Sequence, residues 1–394
     1  MPVLEGVKVL DFGRYIAGPF CAALLADFGA DVIRIDRVGG SEDRFILPVT
    51  DSGEGAQFLQ VNRNKRSLAL DIDSAEGRAV VRRLVQQADV VIANMPPTTL
   101  QKLGLDYDTL AAIKPDIILT ASTAFGTHPD LRDRVGFDGV GQAVSGLVHL
   151  GGTPEQPVKA MAPVIDFPTA MSCALGTVLA LMERQRSGQG QEVGASLLQT
   201  ALNICSSSLI EEAMLHLDRK ASLNRAAQYG PSDVFRVKDG WIITQVLGQG
   251  MFKRWTRLIG QPELFDDPRF ADDRKRGEQG EWLAERMQQW LQGMTSDEAL
   301  AKLEAARIPA GPVRSPRQVL QDPLLQEAHA FDWVDYPSAK EQVPIAVPPV
   351  TLSRTPSSLR RRPPTAGEHS DEVLAEFGYD AGEIAALRRS GTVA

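Results

Sequence analysis

Short apolar segments alternate with helical segments over the first 122 residues, and no other feature of the sequence constrains the fold as strongly. The apolar runs predict strands at 7–12, 32–36, 67–71, 90–93 and 117–122. The periodicity between them predicts helices at 20–28, 75–87 and 98–103. Because strands that are joined through helices pair in parallel, the alternation predicts an α/β domain with a doubly wound parallel sheet.

The loops that follow these strands form the predicted ligand-binding edge, because such sheets bind ligands beyond the carboxyl ends of their strands. These loops are 13–18, 36–40, 94–97 and 123–126. Gly13, Gly18 and the later Asp36 partly resemble a dinucleotide-binding fingerprint, but the G-x-G-x-x-G spacing is absent. The sequence therefore does not favour NAD as the ligand.

The second half of the chain has a different pattern, which predicts a smaller α+β domain. Asp239-Gly240 between the apolar runs 234–237 and 241–246 is a strong hairpin signal. Helices are predicted at 251–259, 281–292 and 296–306, and Thr295 with Glu298 forms a capping box. We predict a large domain at 1–227, a small domain at 228–314 and a return segment at 315–394 that completes the large domain, with a proline-rich, extended stretch at 336–364.

Asp166 precedes a long predicted helix, and the candidate site is built around it. Apolar residues spaced by three and four predict the buried face of this helix: Met171, Ala174, Leu175, Val178, Leu179 and Met182. Pro168 suits the first helical turn, so Asp166 falls at the N-terminus, whose partial positive charge favours an ionised carboxylate. Asp166 is then either a helix N-cap or a carboxylate nucleophile, and the local sequence fits both interpretations.

Composition excludes several classes of function. The 394 residues are 43% hydrophobic, enough for two cores, and the net charge of −8 argues against nucleic acid as the main partner. The sequence contains no run of 18 apolar residues and no signal-peptide pattern, so we expect a cytoplasmic protein without membrane attachment. Three scattered cysteines and five histidines without ligand spacing predict neither a disulfide framework nor a metal site.

Several motifs together resemble the class III CoA-transferases, the family of formyl-CoA transferase and carnitine CoA-transferase. They occur in family order over nearly the whole chain: LDFGRYIAGPF, GADVIRIDR, VNRNKRSLALD, ADVVIANMPP, GFDGVGQAVSG, the Asp166 helix followed by RSGQGQEV, IPAGPV and GEHSDEVLAEFGYDAGEIAAL. Each motif is weak alone, and their shared order makes the resemblance specific. It implies a Rossmann-like large domain built from both chain ends and an interlocked homodimer.

The resemblance also implies an activity and a set of site residues. The protein would transfer CoA from an acyl-CoA to a small free carboxylic acid through an anhydride on Asp166 and an aspartyl-CoA thioester. Backbone N–H groups and the helix N-terminus would stabilise the oxyanions that form. CoA would be a substrate, with no permanently bound cofactor. The implied CoA-binding set is Tyr15, Ile16, Ala17, Arg37, Val61, Asn62, Asn94, Lys102 and Leu103.

The sequence departs from the family pattern at several positions. The formyl-CoA transferase branch has a lysine at Val135; we include the adjacent Arg134 in the CoA-binding set, and whether it substitutes for that lysine is open. That branch also has a glycine-rich loop, whereas this chain has Gly230 alone there, and Gly248 and Gly250 are candidates for part of a lid.

Two alternatives to CoA transfer can each be distinguished by one residue. The histidine of the racemase branch falls on Phe137, which cannot take a proton, so an acyl-CoA racemase or epimerase is disfavoured. In a non-catalytic CoA-binding protein Asp166 would be only a helix cap.

Overall fold

The computed structural model describes the whole chain, Met1–Ala394. The elements up to residue 150 are β1 (Lys8–Asp11), α1 (Ala17–Asp27), β2 (Asp31–Asp36), α2 (Ala56–Val61), β3 (Lys65–Ala69), α3 (Ala75–Val85), β4 (Val90–Ala93), α4 (Pro97–Leu103), α5 (Tyr107–Ile113), β5 (Ile118–Thr123), α6 (Asp138–Val144) and α7 (Leu147–Leu150). The following elements are α8 (Asp166–Ser187), β6 (Gln191–Ser196), α9 (Leu197–Leu215), β7 (Ser232–Val237), β8 (Gly240–Gln245), α10 (Gly248–Leu258), α11 (Asp273–Glu278), α12 (Gly280–Trp290), α13 (Ser296–Ala305) and β9 (Ala310–Pro312). The chain ends with α14 (Pro316–Leu320), α15 (Pro323–Glu327), β10 (Phe331–Val334), β11 (Val343–Ala346), α16 (Ser370–Glu376) and α17 (Ala381–Arg389).

Six parallel strands form the central sheet, in the order β3-β2-β1-β4-β5-β6. This arrangement confirms the predicted parallel sheet. The strand order reverses between β1 and β4, and open α/β sheets bind ligands at such a switch point. The segments that follow β1 and β4 are therefore the first place to look for a site.

The chain divides into two compact units. The first contains 1–145, 161–207 and 327–394, and the second contains 146–160 and 208–326. The predicted boundaries lie at 227 and 314, whereas these limits fall within α9 and at the end of α15. The second unit has its own core around Phe252, Trp255 and Phe270, with β7, β8 and β9 as an antiparallel sheet.

The last 68 residues belong to the first unit, whose hydrogen bonds hold them in place. The Asn64 side chain donates to the Ser358 carbonyl at 2.8 Å and accepts from the N–H of Arg360 at 2.6 Å. The stretch predicted to be extended also contains β11, which pairs with β10 as a hairpin that the prolines had obscured. Even α8, with 22 residues the longest helix, lacks the sustained apolar character needed to span a bilayer, as does every other helix.

Of the six residues predicted for the buried face of α8, Ala174 and Val178 pack against the core and the other four do not. Small residues face the core, while Met171, Leu175, Leu179 and Met182 are 42%, 63%, 55% and 57% exposed. Close packing explains the difference, because a Cβ on Gly176 would lie 2.5 Å from the Val193 side chain of β6. The apolar periodicity was real, but it marks an uncovered stripe on this chain.

A network of buried ions joins Asp11 and Asp36, at the ends of β1 and β2, to Lys65 at the start of β3 and to Arg44 after β2. The Asp36 carboxylate accepts from Arg34 at 3.0 Å, from Arg44 at 2.6 Å and from the Ser67 hydroxyl at 2.7 Å. Burial alone would raise the pKa of Asp36, but the two guanidinium groups hold it well below its usual range. The loop after β2 is thereby tied to the sheet through ionised groups that no solvent reaches.

We expect Asp36→Asn to lower the free energy of unfolding by about 3–5 kcal/mol, because it leaves two buried guanidinium groups without their shared counter-charge. Urea unfolding followed by circular dichroism measures this loss. Asp371→Asn is the matched control, since its pair with Arg388 is exposed on both sides and should contribute little. Equal unfolding midpoints for the two variants would contradict the assigned role of the network.

Candidate functional site

A cavity of about 700 Å³ lies in the first unit, at the carboxyl ends of β1 to β5. The structure brings most of the residues predicted for the site to its walls: Tyr15, Ala17, Arg37, Asn94, Lys102, Leu103, Arg134 and Asp166. A larger cavity of about 1120 Å³ lies beside β6 and contains none of them. The smaller cavity is therefore the candidate site, because the titratable groups and the switch point of the sheet meet there.

Three residues of the predicted CoA-binding set do not line this cavity. Ile16 is 4% exposed, and Val61 and Asn62 are fully buried. The Asn62 side-chain oxygen accepts from Lys65 at 2.7 Å and from Arg34 at 3.3 Å. Its side chain thus supports the buried ion network.

The turn after β1 is held by three side chains from other positions. The N–H of Gly13 donates to Asp11 at 2.8 Å, and the N–H of Tyr15 donates to Asp43 at 3.2 Å. The Asn94 side chain accepts from the N–H of Arg14 and donates to the Arg14 carbonyl, both at 2.7 Å. These bonds support Tyr15 in a left-handed conformation with φ of 63°, which is uncommon for a residue with a side chain.

Asp166 is the first residue of α8, and it does not cap that helix. No side chain at the N-cap position bonds to the helix. The cap comes from α6, where the Asp138 carboxylate accepts from the N–H groups of Ile165 at 2.6 Å and Asp166 at 3.0 Å. The Asp166 carboxylate is therefore left without a structural task and lines the cavity.

Burial and the nearby charge of Asp138 raise the pKa of Asp166 to about 7. The sequence predicted a carboxylate kept ionised by the helix N-terminus, and this expectation was wrong. Loss of hydration and repulsion from a second carboxylate outweigh the attraction of the helix end. Asp166 consequently exchanges a proton close to neutral pH, as a catalytic group does.

The N-terminus of α8 offers no free donor for an oxyanion, contrary to the sequence-based expectation. Asp138 takes the N–H groups of Ile165 and Asp166, the N–H of Phe167 donates to the Pro163 carbonyl at 3.4 Å, and Pro168 has no N–H. At the first position of α1, the N–H of Ala17 has no acceptor within its helix, and Ala17 lines the cavity. A free backbone donor of the site thus comes from the start of α1.

Sequence reasoning missed Asp138, which lies beside the nucleophile candidate. It is 9% exposed, and the Gln142 side chain donates to its second oxygen. Asp138 lies in the GFDGVGQAVSG motif, but its local signal is an acidic residue opening a short helix, which describes any helix with an acidic first turn. The relation to Asp166 depends on a contact across 28 positions and is visible only in three dimensions.

Aromatic rings line the cavity near Asp166. The Tyr15 and Phe137 rings meet edge to face with centroids 5.3 Å apart, and both line the cavity. The Arg134 guanidinium lies 4.8 Å from the centroid of the Phe125 ring. Arg134 thus places a cation in the cavity next to Val135, the position where the lysine was expected.

The glycines considered for a lid belong to a helix of the second unit. Gly248 is the first residue of α10, and its N–H donates to both Asp273 oxygens at 3.0 Å. Gly250 lies within the same helix, and Gly230 just precedes β7. The structure therefore describes Gly248 and Gly250 as ordered helical residues.

The fold and the cavity define a doubly wound α/β protein with its site at the sheet's switch point. The chain belongs to CoA-transferase family III, whose model matches residues 4–370. It is 33% identical to the succinyl-CoA–D-citramalate CoA-transferase of Chloroflexus aurantiacus, over 98% of this chain and 96% of that protein. It is 31% identical to the succinate–glutarate CoA-transferase of Agrobacterium fabrum, over 95% of this chain and 96% of that protein.

A solved structure agrees with this assignment. The CAIB/BAIF family protein from Brucella suis superposes with a TM-score of 0.82 at 31% identity, over 95% of this chain and 99% of that one. The protein is therefore an enzyme of the CoA-transferase type, and CoA thioesters are its substrates.

We expect Asp138→Asn to lower the pKa of Asp166 from about 7, because the amide keeps an acceptor for the helix N–H groups but removes the neighbouring charge. Because burial is the larger cause, the pKa should stay above that of an exposed aspartate. NMR titration of ¹³C-carboxyl-labelled aspartate, with Asp166→Asn to assign the signal, measures the change. Asp73→Asn removes a charge from the same cavity wall and should leave the pKa unchanged; an equal shift there would refute the specific role of Asp138.

Proposed function

We propose that the protein transfers CoA from an acyl-CoA thioester to a free carboxylic acid, with Asp166 as the covalent nucleophile. One observation carries the proposal: a carboxylate with no structural partner and a pKa of about 7 lines a cavity that also holds cations suited to CoA phosphates. Membership of CoA-transferase family III supports it.

The proposed reaction has two symmetrical halves. An Asp166 oxygen attacks the thioester carbonyl, the C–S bond breaks, and CoA leaves as the thiolate while a mixed anhydride forms. The thiolate then attacks the aspartyl carbonyl, and the donor acid leaves as a carboxylate. The acceptor carboxylate next attacks the aspartyl-CoA thioester and releases the thiolate, which attacks the acceptor's carbonyl in the new anhydride. Acyl-CoA and the free Asp166 carboxylate result, and no net proton is consumed.

The surroundings of Asp166 suit these steps. A raised pKa makes the carboxylate a stronger nucleophile, and a large fraction of it is still ionised at neutral pH. The tetrahedral intermediates carry an oxyanion, for which the N–H of Ala17 is our candidate donor. Tyr15 and Phe137 would keep water from the anhydride.

The proposed CoA contacts follow from the cavity walls. Arg37 has a side chain that is 65% exposed and only a long 3.6 Å pair with Glu42, so it is available to a phosphate. Lys102 and Arg134 are exposed on the same cavity. Basic side chains at the solvent side suit the phosphates of CoA, because these charges stay hydrated outside the reacting centre.

The racemase alternative is not favoured by this site. Racemisation of an acyl-CoA needs a second proton-accepting group opposite the aspartate. Phe137 occupies the position of the racemase histidine, lines the cavity and is 62% exposed. Transfer remains the function that the cavity supports best.

We also propose that two copies of the chain form a homodimer. The uncovered stripe of α8, made of Met171, Leu175, Leu179 and Met182, is a contiguous apolar surface of the kind that monomers rarely expose. A second copy would bury it, which agrees with the interlocked dimer implied by the family motifs.

We expect Asp166→Ala and Asp166→Asn to abolish transfer while CoA still binds, because only the attacking oxygen is lost. Transfer is measured by chromatography of CoA esters, and binding is measured by calorimetry. With wild-type enzyme, acyl-CoA and hydroxylamine, mass spectrometry should find a hydroxamate on the peptide containing residue 166. Asp73→Asn serves as the control and should retain turnover; turnover in either Asp166 variant would end the assignment.

We expect the double substitution Leu175→Glu and Leu179→Glu to dissociate the dimer, because it places two charges in the apolar contact. Sedimentation velocity measures the mass in solution. Arg82→Glu introduces negative charge on the exposed part of α3 and should leave the mass unchanged. A monomeric wild-type protein at micromolar concentration would refute the proposal.

A further inference from the structure

The buried ions beside the turn after β1 contain one cation without a carboxylate. Lys65 pairs with Asp11 at 2.7 Å, Arg34 pairs with Asp43 at 2.8 Å, and Arg44 pairs with Asp36 at 2.6 Å. Arg14 lies next to this network, and its guanidinium forms no ion pair. A poorly hydrated charge that is attracted by nearby carboxylates but forms no direct ion pair is costly, so a ligand anion in direct contact would stabilise it.

The contacts of Arg14 leave much of its guanidinium available. Its Nη1 donates to the carbonyls of Phe12 at 3.1 Å and Gly13 at 2.8 Å, whereas Nε and Nη2 donate to no group of the chain. Arg14 lines the same cavity as Asp166. The Asn94 side chain fixes the Arg14 backbone through its N–H and carbonyl, and the two Nη1 hydrogen bonds hold the guanidinium.

The position of Arg14 differs from that of the other cavity cations. Arg37, Lys102, Arg132 and Arg134 are all exposed, whereas Arg14 is only partly exposed. Burial, the largest cause, and repulsion from Arg34 lower the pKa of Arg14 against the attraction of Asp43, Asp36 and Asp11, so the guanidinium is poorly solvated. Exposed cations suit hydrated phosphates, and a partly buried guanidinium suits a carboxylate that enters the cavity with the acyl chain.

We propose that Arg14 binds the distal carboxylate of a dicarboxylic acyl group and so selects short dicarboxylic acyl-CoA donors over monocarboxylic ones. The inference rests on the proposed function, because it assigns the acyl chain to the cavity that holds Asp166. A guanidinium presents two parallel donors to a carboxylate, which gives both affinity and orientation. Relatives in the family carry names with succinyl-CoA as the donor, which agrees with this substrate class.

The test compares succinyl-CoA with butyryl-CoA, which have the same four-carbon chain and differ at the distal end. We expect Arg14→Gln to reduce the ratio of their kcat/KM values about 10–100-fold, the usual range for losing a charged hydrogen-bond pair. Arg14→Lys keeps the charge without the paired donors, and we expect it to reduce the ratio less. Arg134→Gln is the matched control, because a phosphate contact affects both donors equally and leaves the ratio unchanged.

Each other outcome overturns the inference. An equal loss for both donors means that Arg14 contacts CoA itself or supports the turn, and an unchanged ratio means that it contacts no acyl group. Thermal unfolding of the variants shows whether the fold is retained.

Failure of the proposed function is separately visible. If Asp166 is not the nucleophile, binding of both thioesters to the Asp166→Asn protein can still be measured. Calorimetry then shows whether the preference for succinyl-CoA depends on Arg14. Loss of that preference in the Asp166→Asn, Arg14→Gln double variant supports the inference, and its persistence overturns it.

Discussion

The Asp138 carboxylate accepts hydrogen bonds from the N–H groups of Ile165 and Asp166. These two bonds determine where α8 begins, and the site depends on them. A helix N-terminus needs acceptors, and an aspartate at the first position would normally supply its own. Because the acceptor comes from α6 instead, the Asp166 side chain is released from that task. The same arrangement places a second carboxylate beside Asp166, whose charge adds to the larger effect of burial in raising the pKa of Asp166.

The other wall of the cavity depends on a different constraint, the closure of the turn after β1. Gly13 is required there because a Cβ would lie 2.7 Å from the Pro19 ring and 2.8 Å from the Asp11 carboxylate. The turn is then fixed by Asp11, Asp43 and Asn94, and the first two of these also belong to the buried ion network. Asp11 and Asp43 therefore belong both to the buried ion network and to the turn. Because they hold the turn, Arg14 and Tyr15 are positioned without a bound ligand.

The sequence predicted the parallel sheet because strand and helix periods alternate clearly and leave one topology class. It identified Asp166 as the candidate site residue, but it did not predict the contact with Asp138. Local patterns describe the neighbours of a residue along the chain, whereas Asp138 reaches Asp166 across 28 positions. Local patterns also could not predict how α8 packs. The spacing of its apolar residues identified an apolar face, but small residues such as Gly176 determine which face packs on the sheet. Ile16, Val61 and Asn62 came from motif correspondence, and the structure buries them.

The Asn94 side chain connects the ends of β1 and β4. Its amide oxygen accepts from the Arg14 N–H, and its amide nitrogen donates to the Arg14 carbonyl. An aspartate has almost the same shape but no donor, and its negative charge would face the Arg14 carbonyl. A histidine or glutamine has both functions but a different reach. Few side chains can therefore replace Asn94, because the nearest isostere lacks the donor and the side chains that have both functions differ in length.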